Sequence, residues 1–268
     1  MNEEKELGSV DKVEPESAQN FFQWAEIEKD GEWIEHNILR YCEGKYTRTE
    51  TAFYSIYDAL IECAKAYDRT ISLQVVGANP RPVGLKESAK DADIQIWKSL
   101  YLDIEPIHPA GTNVTEEEKT NARYFINNSL EQTLLEWGGT IADSGNGWHI
   151  WIAFPPILGQ EAIQDFKLRL NTWYKQLLQN TQELRQEYNV RIDHTFSPSR
   201  QVKLYGTKKP IQGSRIATFP RVERRESTAF VDFIRTFRPQ TSTNQYVESS
   251  LRCDDSLAEI EEKYGLRD

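Results

Sequence analysis

Two short stretches of the chain set carboxylates into apolar runs. In Leu102-Asp103-Ile104-Glu105 the acids alternate with hydrophobes. Residues i and i+2 of a strand share a face, so Asp103 and Glu105 point one way while Leu102 and Ile104 point toward a core. Two carboxylates on one strand face repel each other unless a cation lies between them, and an all-oxygen donor set suits Mg²⁺ or Mn²⁺. Taken alone, the pattern also fits the solvent face of a half-buried strand. Asp193 ends a second apolar run, Val190-Arg191-Ile192-Asp193.

Two further segments carry complementary chemistry. Ser144-Gly145-Asn146-Gly147-Trp148-His149 is a glycine-rich turn followed by a histidine. Glycines in such a turn let backbone N–H groups approach an anion, and His149 alternates with Trp148 and Ile150. Arg200-Gln201-Val202-Lys203-Leu204-Tyr205-Gly206 is a basic strand, with Arg200, Val202 and Leu204 on one face and Gln201, Lys203 and Tyr205 on the other. Each also reads as an ordinary surface hairpin. Together, three carboxylates, a histidine beside a glycine turn and a basic strand make a site for a metal-bound triphosphate. Two divalent ions about 4 Å apart would activate a 3′-hydroxyl and clamp the leaving pyrophosphate. Basic side chains would take up phosphate charge.

The elements that must position these residues follow from periodicity and punctuation. A helix is expected over Thr51–Tyr67, a strand over Ile71–Val76 and another over Trp97–Glu105. A helix over Thr115–Trp137 is capped by Thr115 and ended by Gly138-Gly139. Strands at Thr140–Asp143 and His149–Phe154 precede a long helix from Gln160 to about Tyr188. Strands at Val190–Asp193 and Val202–Tyr205 and a helix over Thr228–Phe237 complete the pattern. Adjacent hairpin-like pairs make this an α+β or mixed chain, not a doubly wound parallel one. Neither GxGxxG nor GxxxxGK[ST] occurs, so any nucleotide site is of another kind.

Composition narrows the class. The chain has 268 residues, 38% hydrophobic and 28% charged, which excludes fibrous and wholly disordered proteins. No apolar run approaches the roughly 20 residues of a membrane span, and the acidic N-terminus has no signal-peptide core. Three scattered cysteines predict a reducing, cytoplasmic setting. His36, Cys42 and Cys63 are too irregular in spacing to read as a zinc module. The net charge of −10 hides an uneven distribution. Residues 1–16 and 248–268 each carry −4, whereas Arg185–Arg225 holds ten bases and three acids. Acidic ends with a basic stripe fit a polyanion groove, and equally a solvated face. The expected organisation is an acidic flexible tail over 1–16, a catalytic domain over 17–237, and a linker with an acidic tail or helix over 238–268.

With these motifs in order, the chain resembles the archaeo-eukaryotic primase superfamily in its primase-polymerase branch. Leu102–Glu105 is similar to the family's h-D-h-E motif, Ser144–His149 matches S-G-x-G-x-H, Ile192-Asp193 matches h-D, and the segment from Arg200 resembles R-x-x-K/R-x-x-G. Val75–Arg81 is similar to the strand ending in N-P-R that precedes the first motif. The resemblance implies an RRM-like antiparallel sheet joined to a second α/β unit, with the active site in the cleft between them. It implies Asp103, Glu105 and Asp193 as ligands of two Mg²⁺ or Mn²⁺ ions. Ser144, Gly145, Gly147, His149, Arg200 and Lys203 would meet the triphosphate, and Arg81 template or nucleotide. The partners it implies are single-stranded DNA, ribo- or deoxynucleoside triphosphates, and a helicase in the same pathway or longer chain. The activity would be templated nucleotide addition in replication of a plasmid, phage or other mobile element. Two readings compete. One is an RRM-like module that grips single strands through stacked aromatics without chemistry. The other is a metal-dependent nuclease or a rolling-circle nickase; a nickase would want a second histidine where Ile150-Trp151 stands.

Overall fold

The computed structural model describes residues 15–26, 32–42, 45–55, 58, 72–82, 84–109, 112–207 and 215–239. Both terminal tails of the expected organisation, and residues 56–57 and 59–67 of the expected helix, therefore lie outside the described residues, save for 15–16 and 238–239.

The first unit is built on helix α1 (Pro15–Ala25) and strands β1 (Glu32–Cys42), β2 (Lys45–Tyr54), β3 (Ser72–Gly77) and the short β4 (Arg81–Pro82). The sheet runs β2-β1-β3, continues to a strand from far along the chain, β9 (Gln201–Lys203), and carries β4 on β1. Thr51–Tyr54, expected to open a helix, instead finish β2, pairing with Asn37, His36, Glu35 and Ile34 in turn. Phe, Tyr and Thr are strand formers, and long-range pairing with β1 overrides the local helical period.

The second unit follows a β-α-β-β-α-β order. β5 (Ile96–Pro106) leads into helices α2 (Glu116–Ser129) and α3 (Glu131–Glu136), then β6 (Thr140–Asp143) and β7 (Trp148–Leu158). Helices α4 (Gln160–Asn180) and α5 (Gln182–Glu187) lead into β8 (Val190–Asp193). The sheet order is β6-β7-β5-β8 with every pair antiparallel, the RRM-like arrangement. Thr115 caps α2 by accepting from the Glu118 N–H, as the sequence predicts. The two helices expected to be continuous are each broken, at Leu130 and at Thr181. At Thr181 the hydroxyl donates to the Leu177 carbonyl. One face of the sheet, with Leu100, Leu102, Ile104, Ile150, Ile152 and Ile192, packs under these helices and α6 (Thr228–Arg235).

The opposite face joins the two units. Tyr101, Trp151 and Ala153 share a buried cluster with Phe21 and Trp24 of α1, Val76 of β3, Val202, Leu204, Tyr205 and Phe219. After β8 the chain crosses back to the first unit as β9 (Gln201–Lys203), antiparallel to β3. Asn79 pins the junction. Its side-chain oxygen accepts from the backbone N–H groups of Lys98 and Ser99, and its amide donates to the carbonyls of Ser99 and Pro198. No helix among the described residues is long and apolar enough to cross a membrane.

Candidate active site

Strand register assembles the carboxylates. Asp103 on β5 lies directly opposite Asp193 on β8 and, on its other side, opposite His149 on β7. One layer of the sheet thus reads Asp193, Asp103, His149, drawn from segments 90 and 46 residues apart in sequence. Glu105, two residues on, shares that face and lies opposite Arg191. Leu102, Ile104 and Ile192 fill the helix side beneath, so the acids have no apolar alternative direction.

Arg191, not among the candidate site residues, sits among the acids. Its guanidinium is 2.5 Å from Glu105 Oε2 and 3.2 Å from Asp193 Oδ1. Arg200 faces the same group from the β8–β9 connection, donating from Nε to the Tyr101 hydroxyl at 3.3 Å. Burial alone would lower the pKa of Arg200, but Tyr101, Asp103 and Asp193 outweigh it and hold the pKa above the usual value. Burial pushes Tyr101 up to about 12, so it stays a neutral phenol.

His149 is 4% exposed. Its Nε2 lies 3.6 Å from Asp103 Oδ1, and its Nδ1 is 2.6 Å from the Tyr205 hydroxyl. The turn before it is tightly built. A Cβ on Gly147 would stand 2.3 Å from the Ile104 carbonyl oxygen, so only glycine lets this turn lie against the Asp103 strand. Gly145 has φ +92°, and a Cβ there would meet the Arg215 carbonyl at 2.7 Å. The Gly145 N–H donates to Asp143 Oδ1 at 2.6 Å, and the Gly147 N–H to Ser144 Oγ at 2.9 Å. The turn thus closes on itself. Ser144, Gly145 and Gly147, expected to face a triphosphate, use these groups to fix its shape. Lys203 reaches across from β9 to donate to the Ser144 carbonyl, which places its ammonium at this turn.

Other expectations land elsewhere. Arg81 is 1% exposed, and Nε bonds Glu35 Oε2 at 2.7 Å while the other guanidinium nitrogens donate to the carbonyls of Asn79 and Ser199. It is a framework ion pair, not a surface contact. β9 is shorter than expected, and Tyr205 lies beyond it in a turn. Among the described residues, much of the basic stripe is engaged within the fold. Arg185 donates to the Leu178 carbonyl, Arg215 pairs with Glu116, and Arg224 bonds the Trp24 and Lys98 carbonyls. His36 bonds Gln74 at 3.0 Å inside the first sheet, and Cys63 lies outside the described residues.

Among the described residues, no three His, Cys, Asp or Glu side chains stand close enough to hold an ion as now disposed. The donor chemistry nevertheless fits a hard divalent cation. Asp103, Glu105 and Asp193 share one face and offer only oxygen, and the cluster already draws a cation, Arg191, between two of its members.

No protein-family model and no curated protein matches the chain. Among solved structures, the catalytic domain of primase RepB′ in complex with initiator DNA is similar to it, with a TM-score of 0.48 and 10% identity. That match covers 83% of this chain and 93% of that one. Primase RepB′ is also similar, with a TM-score of 0.44 and 10% identity over 83% of this chain and 62% of that one.

Proposed function

We propose that the chain is a DNA-dependent nucleotidyltransferase, a primase-polymerase that joins nucleoside triphosphates on a single-stranded DNA template. The observation that carries this reading is the single layer Asp193–Asp103–His149 on three neighbouring strands, with Glu105 beside it. It juxtaposes residues of three of the motifs on which the family resemblance stands. The replication of a plasmid, phage or other mobile element is the setting proposed for it.

Asp103, Glu105 and Asp193 would hold Mg²⁺ or Mn²⁺, which when bound acidifies the attacking 3′-hydroxyl and neutralises the departing pyrophosphate. Arg191 is more than half exposed and can swing clear of Glu105 and Asp193 as such ions enter. Lys203 and Arg200 approach from the first unit and the crossover, and so would meet the triphosphate on the side away from the helices. His149 sits in the carboxylate layer, with its Nε2 3.6 Å from Asp103 Oδ1. The glycine turn joins β6 to β7 and lies against the Ile104 carbonyl of β5, which would preorganise these groups for reaction.

A binding module without chemistry is less well supported. RRM-type readers stack bases on aromatics of the open sheet face. Here Tyr101 and Trp151 occupy that face, and both are buried against α1, Tyr205 and Phe219.

The test is a gel assay with single-stranded DNA, with and without an annealed primer, labelled NTPs or dNTPs, and Mg²⁺ or Mn²⁺. Product is expected from the wild type and lost in Asp103→Ala, Glu105→Ala and Asp193→Ala, with DNA binding retained. Synthesis surviving in all three variants would overturn the reading. DNA binding that is steeply salt-dependent, indifferent to divalent ions and unaccompanied by product would favour the binding module.

A further inference from the structure

The buried side of His149 carries an inference about which nitrogen bears its hydrogen. Three groups meet at the Tyr205 hydroxyl, and each has a fixed capacity. The Trp151 indole can only donate, and its Nε1 is 2.7 Å from the Tyr205 oxygen. Tyr205 has one hydrogen to give and is 0% exposed, so water does not take it. Its remaining partner is His149 Nδ1, at 2.6 Å. A buried hydroxyl without an acceptor is costly, so the hydrogen goes to Nδ1. Nδ1 must then be the unprotonated nitrogen, and Nε2 carries the hydrogen. Nε2 is the nitrogen that faces Asp103 Oδ1, 3.6 Å away. Burial holds the Tyr205 phenol far above its ordinary pKa, which keeps that hydrogen in place at any working pH.

We propose that Tyr205, oriented by Trp151, is a positioning residue that locks His149 as its Nε2–H tautomer. The histidine then presents a donor, not a lone pair, to the carboxylate layer and to the triphosphate beside it. Packing supports the fixed geometry. The His149 ring lies 4.9 Å from Tyr101 and 5.7 Å from Tyr205 between centroids, and the Tyr205 ring is held by Phe21 and Phe219 at 5.2 and 5.1 Å. These contacts pack the His149 ring against Tyr101 and Tyr205. The chain joins Tyr205 to this site through the crossover after β8, 56 residues from the histidine it fixes.

The kinetic half of this proposal rests on the function proposed above; the tautomer does not. The experiment is ¹⁵N NMR of the full chain with ring-labelled histidine at neutral pH, with His149→Gln identifying the signal. The wild type is expected to show a hydrogen on Nε2 and an acceptor Nδ1. Tyr205→Phe, which removes only the hydroxyl, is expected to give mixed tautomers. Its KM for nucleoside triphosphate should rise about 10-fold, with kcat changed less than about threefold, as for loss of a partner that orients a binding histidine. A wild-type signal with hydrogen on Nδ1, or on both nitrogens, overturns the proposal. So does a Tyr205→Phe protein whose spectrum and KM match the wild type. Should Tyr205→Phe fail to fold, Trp151→Phe removes the donor that orients the hydroxyl and is expected to loosen the same tautomer, while an unchanged spectrum would count against it. Absence of nucleotide addition by the wild type would remove the proposed function and leave the spectrum to judge the tautomer.

Discussion

Two of the arginine–carboxylate contacts in this molecule, one in each sheet, differ in access to water. In the first sheet Arg81 and Glu35 are bonded at 2.7 Å with both side chains 0% exposed. In the second, Arg191 bridges Glu105 and Asp193 with its side chain 55% exposed and theirs 19% and 38%. The sealed pair has every lone pair engaged. Burial alone would raise the pKa of Glu35, but Arg81 and hydrogen bonds from Ser88 and Asn37 outweigh it and keep the carboxyl below its ordinary range. The open trio has a cation that can leave. Sealed charge holds the frame together, whereas open charge of the same chemistry can be exchanged for a ligand.

Breaking the open cluster should cost the most. Asp103→Ala is expected to reduce nucleotide incorporation by roughly 10³-fold or more, with the melting temperature and DNA binding nearly unchanged. Breaking the sealed pair should do the opposite. Arg81→Ala leaves Glu35 buried without its cation and is expected to cost about 3–5 kcal/mol in denaturant unfolding, with turnover per folded molecule preserved. A loss of activity without a loss of stability in that variant would bring Arg81 back to the site. The sealed pair also has a pH signature. Because the folded-state pKa of Glu35 is depressed, its stabilisation is complete above the ordinary glutamate range and lost as pH falls through the lower folded value. Acid titration of wild type and Glu35→Gln should therefore converge at low pH.

Smaller effects sharpen the contrast. Gly147→Ala must push the turn off the Ile104 carbonyl, and about 1–3 kcal/mol of stability should be lost together with activity. Lys203→Ala should raise the KM for nucleoside triphosphate about 10-fold with little change in melting. Arg191→Ala is the mildest. An exposed ion pair contributes at most about 1 kcal/mol, so stability should hold while the Mn²⁺ concentration needed for half-maximal calorimetric binding falls a few-fold. A rise instead would make Arg191 part of the binding apparatus.

The carboxylate site was legible because its signal is local. Alternation within Leu102–Glu105 already separates acids from core, and Ile192-Asp193 repeats the parity. The β-α-β-β-α-β order likewise followed from periodicity and turn glycines. Strands β1 and β2 did not, for a physical reason. β1 buries Glu35, His36 and Asn37, so its polar residues do not alternate outward as a strand pattern demands. Their partners lie far off in sequence, Arg81 for Glu35 and Gln74 for His36. The same distance hid Tyr205 from His149 and Arg191 from Glu105. Arg81 read as a surface cation because nothing near it in sequence announces Glu35. The glycine turn read as an anion cradle because sequence shows its N–H groups but not the Asp143 and Ser144 oxygens that take them.

The strand order has one consequence for how the three acids move. β5 is flanked on both sides, by β7 and by β8, whereas β8 is a four-residue strand at the margin of its sheet. The Asp103 backbone is clamped by two ladders and should exchange its amide hydrogen only when the unit opens as a whole. Asp193 rides the margin, its strand paired with β5 alone, and can shift with local fraying. The acids are therefore a fixed post and a movable jaw, and fitting the gap to ions of different radius falls to β8.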